Sequence, residues 1–112
     1  MSKLASRPLS RYSLDAALLL GQQIRRMRIE RTITTAQMAE RAGLSRSLVQ
    51  RIEKGDPSCS IGAVFEAAAV VGLRLFDADQ PEMTSLNQRY ADTLILLPKK
   101  VRTPRIETKD DF

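Results

Sequence analysis

Histidine and tryptophan are absent from the 112 residues, and cysteine occurs once, as Cys59. Without histidine, Ser-His and Cys-His nucleophilic catalysis are excluded, and so are most zinc sites. One cysteine cannot close an internal disulfide or supply a multi-cysteine metal site, and it fits a reducing compartment. There is no glycine-rich phosphate loop and no cluster of carboxylates, so the composition favours binding over catalysis and no enzyme, metal or cofactor is expected. No apolar run approaches the length of a membrane span. The opening MSKLASRPLSRYS is basic but lacks the apolar stretch of a secretory signal. These absences imply a cytoplasmic protein with no membrane partner. Aromatic residues make up only 4% of the chain, so its core must be built from Leu, Ile, Val, Ala and Met.

What remains is the composition of an ordinary globular protein, 43% apolar and 28% charged, long enough for one small domain with tails. A domain of this size buries a small share of its surface, and dimerisation is a common way to bury more. The net charge of +5 is unevenly placed. Residues 1–31 hold seven basic residues against two acidic ones, whereas residues 77–97 hold one against four. The front half suits a polyanion and the acidic stretch behind it does not.

Punctuation along the chain predicts an all-α fold of about five helices with one short strand. Residues 1–12 contain Pro8 and several serines and read as a flexible basic arm. Ser13 is the expected cap of a first helix, LDAALLLGQQIRRMRIERT. In it Leu20, Ile24 and Met27 repeat at helical spacing, and Leu14, Leu18 and Leu19 extend the apolar face. Thr34 or Thr35 can cap a second helix, AQMAERA, which stops at Gly43. Ser45 caps a third, SRSLVQRIEK, which stops at Gly55 with Pro57 beyond. Ser58 or Ser60 opens a fourth, apolar helix that ends at Gly72. Leu73 and Leu75 alternate with Arg74, the pattern of a short strand near 73–77 within a domain spanning 13–80, although five residues do not exclude a helical turn. Pro81 can open a C-terminal helix over 81–97, and Pro98 closes it. The tail, 98–112, is polar and is expected to be disordered in isolation.

Two short helices joined by a glycine-containing turn form a helix-turn-helix. In Thr34–Gly55, the residues Met38, Ala39, Ala42, Leu44, Val49 and Ile52 can face one core. That leaves Arg46, Ser47, Gln50 and Arg51 on the outside of the third helix. Arginine can take guanine bidentately, glutamine can take adenine, and serine can reach a base edge or a phosphate. Arg41 and Lys54 fit either phosphate contacts or plain solvated charges. Cys59 reads as a small residue at a helix start, and the methionines as core filler.

The run ITTAQMAERAGLSRSLVQRIEKGDPS, with the arginine-rich helix before it, resembles the Xre/lambda-repressor-like family of bacterial regulators over about residues 14–73. The resemblance implies a helical bundle and a homodimer on an inverted-repeat operator in double-stranded DNA. It puts Ser45, Arg46, Ser47, Gln50 and Arg51 at base or phosphate contacts, and Arg28 and Glu53 at the places of an inter-helix ion pair; Lys54 joins them as a candidate DNA contact. The family usually has glutamine at the start of the second helix, where it grips phosphate; Thr35 stands there in this chain, with a shorter reach.

A second resemblance concerns the segments behind the bundle. VGLRLFDADQPE is similar to the region in HipB-type antitoxins where a strand pairs with its dimer mate, which implies dimerisation through Leu73, Arg74, Leu75 and Phe76. LPKKVRTPRIETKDDF is similar to the ends of regulators encoded beside HipA-like kinases, with Phe112 as an apolar anchor for that partner. Together these imply an antitoxin that represses its own operon and neutralises a HipA-like Ser/Thr kinase toxin. The rival readings are a stand-alone phage or host repressor, and a protein-interaction adaptor that no longer binds DNA.

Overall fold

In the computed structural model, which describes residues 8–103, the chain forms five α-helices and one 3-10 turn; no strand occurs among the described residues. The helices are α1 (Arg11–Glu30), α2 (Thr35–Ala42), α3 (Arg46–Glu53), α4 (Ile61–Val71) and α5 (Gln80–Ile95). Two compact units divide the chain after Asp77, with α1 to α4 in the first and α5 in the second.

Each helix begins where a side-chain oxygen satisfies an N–H that has no intrahelical partner. Ser10, not Ser13, caps α1, accepting from the Ser13 N–H at 3.2 Å. Serines stand at both positions, and nothing in Arg11 or Tyr12 opposes a helix, so α1 begins at the first cap after Pro8. Of the two threonines, Thr34 caps α2 in a reciprocal capping box: its hydroxyl accepts from the Gln37 N–H, and the Gln37 side chain accepts from the Thr34 N–H. Ser45 caps α3 and Ser60 caps α4. Asp79 caps α5 in a second box with Glu82, so the helix starts at Gln80, one residue before the expected Pro81.

The core lies in the first unit. Ile24 of α1, Met38 and Ala39 of α2, Val49 and Ile52 of α3, and Ala67, Ala68 and Val71 of α4 form one buried cluster, closed by Ile33. Leu20, Met27 and Leu44 pack against it, and Ala42 is buried as well. Leu14, Leu18 and Leu19, expected to extend the apolar face of α1, are instead exposed. Leu18 lies against Gly55, which has no side chain to cover it. At the crossing of α1 with α3, Gly21 is essential. A Cβ there would collide with the Ile52 carbonyl oxygen and lie 3.1 Å from that of Glu53.

The strand expected near 73–77 is a 3-10 turn, Leu75–Asp77. Phe76 and Asp77 have φ of 54° and 53°, a left-handed backbone that an extended strand cannot contain. Asp77 N–H donates to the Arg74 carbonyl, and the Arg74 guanidinium returns a bond to the Asp77 carbonyl, which closes the turn locally. Two alternating leucines are too short a pattern to distinguish a strand from a turn when no neighbouring strand offers a ladder. Leu73 and Leu75 are half-buried against the core, whereas Phe76 is 74% exposed and meets Phe65 edge to face.

Candidate nucleic-acid interface

The turn between α2 and α3 fixes the interface. Gly43 follows α2 with φ of 69°, in the left-handed region where glycine carries no Cβ penalty. Its N–H and that of Leu44 return to the Glu40 and Ala39 carbonyls, which stops α2 and turns the chain within two residues. Ser45 then accepts from the Leu48 N–H at 3.0 Å and starts α3. Val49, Ile52 and Glu53 of α3 are buried. At about 100° per residue, Arg46, Ser47, Gln50, Arg51 and Lys54 fall within an outward arc of roughly 140°.

Glu53 holds this helix in place. It is 7% exposed and accepts from Arg28 of α1 through both oxygens, at 2.6 Å from Nε and 3.0 Å from Nη2. The third donor of Arg28, Nη1, reaches the Ile33 carbonyl at 2.9 Å. The ion pair implied by the family resemblance is therefore present, and it ties α1 and the α1–α2 turn to the C-terminal end of α3. Arg25 stands at the outer edge of this pair, 4.0 Å from Glu53 and 62% exposed at its side chain.

The expected contact residues differ in how free they are. Arg46, Ser47, Gln50 and Lys54 are exposed, and none of their side chains makes a hydrogen bond or ion pair among the described residues. Gln50, Lys54 and the half-buried Thr35 border one open cleft with Arg25, Arg28 and Glu53. Ser45 spends its acceptor on the cap, and its hydroxyl hydrogen remains a donor. Arg51 is engaged: its Nε donates to Asp56 at 2.8 Å and its Nη2 to the Ser58 hydroxyl at 3.0 Å. Asp56 also accepts from the Ser58 N–H and hydroxyl. These bonds from Ser58, followed by those from Arg51, hold the Asp56 carboxyl well below the usual carboxylate range. Asp56 in turn raises the pKa of Arg51. Partial burial pushes the Cys59 thiol up, away from reactive thiolate. Leu73, Arg74, Leu75 and Phe76 lie outside this face, on the 3-10 turn and the two residues before it. Phe112 falls outside the described residues.

Sequence reasoning missed Arg25, Asp56 and Ser58. Arg25 is one of several arginines on α1, and only the packing angle of α1 on α3 brings it to the cleft. For Asp56 a signal was present, because an aspartate two residues before a serine in a proline turn is the pattern of a side chain closing on the local backbone.

Two short capped helices, a left-handed glycine between them and a polar outer face on the second define a helix-turn-helix unit. Over residues 19–83, more than half of the chain, the sequence matches the family described as helix-turn-helix domain, and the protein belongs to that family. It is thus a DNA-binding regulator by class. No curated protein and no solved structure matches the chain. No helix among the described residues is long and apolar enough to cross a membrane.

Proposed function

We propose that the protein is a sequence-specific transcriptional repressor that binds an inverted-repeat operator as a homodimer and acts without catalysis. One observation carries this reading: α3 is anchored by a buried ion pair and presents Arg46, Ser47 and Gln50 outward with no side-chain partner among the described residues. A rigid helix with unsatisfied polar ends is what direct readout of base edges requires. Lys54, Arg25 and Thr35 flank it as phosphate contacts. The test is operator selection from random duplexes, followed by binding of Arg46→Ala and Gln50→Ala. Each substitution should weaken the selected operator by about tenfold or more, the worth of one lost base contact. Unchanged affinity at physiological salt would overturn direct readout by α3, and failure to select any operator would leave the adaptor reading in its place.

The finer role we infer is that of an antitoxin that represses its own operon and neutralises a HipA-like kinase. Its support is sequence resemblance alone, in VGLRLFDADQPE and in the basic and acidic-Phe elements of residues 98–112. Leu73–Phe76 forms no strand in the single chain, and the exposed Phe76 is available for contact with a second copy. Deleting residues 98–112 should spare operator binding and weaken neutralisation of the kinase. Equal neutralisation by the truncated chain would overturn the role given to the tail, and no neutralisation by the full chain would favour the stand-alone repressor.

A further inference from the structure

Arg51 has five N–H donors in a planar fork. Two of its nitrogens are already engaged on one edge, Nε by Asp56 and Nη2 by Ser58. Nη1 has no partner among the described residues, so the guanidinium is held by one edge and open at the other. The holder is itself braced. Asp56 N–H donates to the Arg51 carbonyl at 3.0 Å, and Ser58 closes on the Asp56 carboxylate through both its N–H and its hydroxyl. Gly55, next to Asp56, packs so closely on α1 that a Cβ would lie 2.7 Å from Leu18 Cα, which pins the loop to the bundle. An acidic residue beside the helix that faces a polyanion is otherwise a liability, because phosphate repels it.

We propose that Asp56, assisted by Ser58, is a specificity-determining positioning residue. It aims the open edge of Arg51 at the operator, and it does so before DNA arrives. This inference rests on the DNA-reading function proposed above and adds a residue outside the recognition helix to it. A free arginine must lose rotamer freedom on contacting a base, whereas a clamped one has lost it already on folding. The clamp therefore strengthens contact with the one acceptor pair that lies where the fork points, such as guanine O6 and N7. It does little for the many phosphates elsewhere. The carboxylate also cancels the arginine charge locally, which lowers affinity for DNA of arbitrary sequence. Both effects widen the ratio of operator to random-sequence binding.

The experiment measures that ratio for the full chain and for Asp56→Asn, Arg51→Ala and the double variant, on the selected operator and on a scrambled duplex at one salt concentration. Asp56→Asn should lower the ratio by about tenfold, with binding to the scrambled duplex unchanged or stronger. Arg51→Ala should lower the ratio at least as much, and the double variant no more than Arg51→Ala alone, because the two residues act as one unit. Without DNA, the Arg51 Nε–H resonance should be slowly exchanging in the native chain and should broaden in Asp56→Asn, while the melting curve stays cooperative. An unchanged ratio in Asp56→Asn overturns the proposal. So does equal strengthening on both duplexes, which would mean that Asp56 withholds Arg51 from DNA. A native chain with no operator preference at all would overturn the DNA-reading function itself, and that failure is visible before any variant is made.

Discussion

At the scale of single residues, two acids on and after α3 do opposite work. Glu53 is buried and takes both edges of its contact from Arg28, whose side chain is only 11% exposed. Removing one partner of such a pair leaves the other charged in a place water scarcely reaches. Glu53→Ala or Arg28→Ala should each cost roughly 3 kcal/mol of stability. The paired change to leucine and methionine should cost less than either single change, because it strands no charge. Chemical denaturation of all three variants checks this, and a double change as costly as the sum of the singles would refute it. Asp56, by contrast, is accessible, and its role is orientation. Its folded pKa is depressed, so its contribution is fully present above the unfolded value of about 3.9 and is lost as pH falls through the lower folded value. The Arg51 clamp should therefore be insensitive to pH between 5 and 8 and should open only in strong acid. Carboxyl carbon shifts of Asp56, titrated by NMR, should show a midpoint below that of a model peptide. The midpoint should rise in Ser58→Ala and in Arg51→Ala, since each removes a hydrogen bond that holds the carboxyl down.

At the scale of helices, ends were legible in the sequence and packing distances were not. Gly43, Ser45, Gly72 and Pro98 mark boundaries through local chemistry, and the structure keeps each of them. The core positions Met38, Ala39, Val49 and Ile52 follow from helical spacing within two turns, and they too are where expected. The misses are of another kind. Leu14, Leu18 and Leu19 have the right spacing for a buried face, but exposure depends on which side chains face them, and Leu18 faces a glycine. The Leu73–Asp77 alternation is compatible with strand and turn alike, and the left-handed backbone at Phe76 and Asp77 has no glycine to announce it. Gly21 sits within a helical pattern, where it looks like a weakness; its reason is the Ile52 carbonyl on a helix distant in sequence. The two glycines therefore predict different outcomes. Gly43→Ala meets no neighbouring atom and should cost only the left-handed strain, roughly 1 kcal/mol. Gly21→Ala must push α1 away from α3 and should cost more, about 2 kcal/mol or above, with lost affinity for DNA as α3 shifts. Thermal melts of both variants decide it, and a Gly21→Ala protein as stable as Gly43→Ala would show that α1 and α3 do not approach as closely as described.

At the scale of the whole molecule, the question is whether one copy carries enough contacts to pick a site. The outer arc of α3 offers three free side chains for base edges, Arg46, Ser47 and Gln50, with the clamped Arg51 as a fourth. A good bidentate base contact is worth about 1–3 kcal/mol of discrimination, and repressors need roughly 4–10 kcal/mol over random sequence. Serine makes single contacts at best; at about 1 kcal/mol each the other three give one copy about 3 kcal/mol, below that range, and two copies about 6, inside it. The charge points the same way. With Arg51 neutralised by Asp56, Arg28 by Glu53 and Arg46 given to base edges, few cations per copy remain on this face to hold phosphate, chiefly Arg25 and Lys54. Two copies double that number to about four phosphate contacts, which predicts a fall in log affinity with log salt of slope near −4. The proposed homodimer therefore makes a spacing prediction. Half-sites should lie about 34 Å apart, one turn of duplex, so that both recognition helices meet the same side. Inserting five base pairs between them should turn one half-site to the far side and reduce binding to that of a single half-site, with the salt slope halved. Gel-shift titration across a salt series on the native, the expanded and the single half-site duplexes measures both quantities at once. Equal affinity and equal slope on all three would mean that one copy binds alone and that its specificity comes from contacts outside α3.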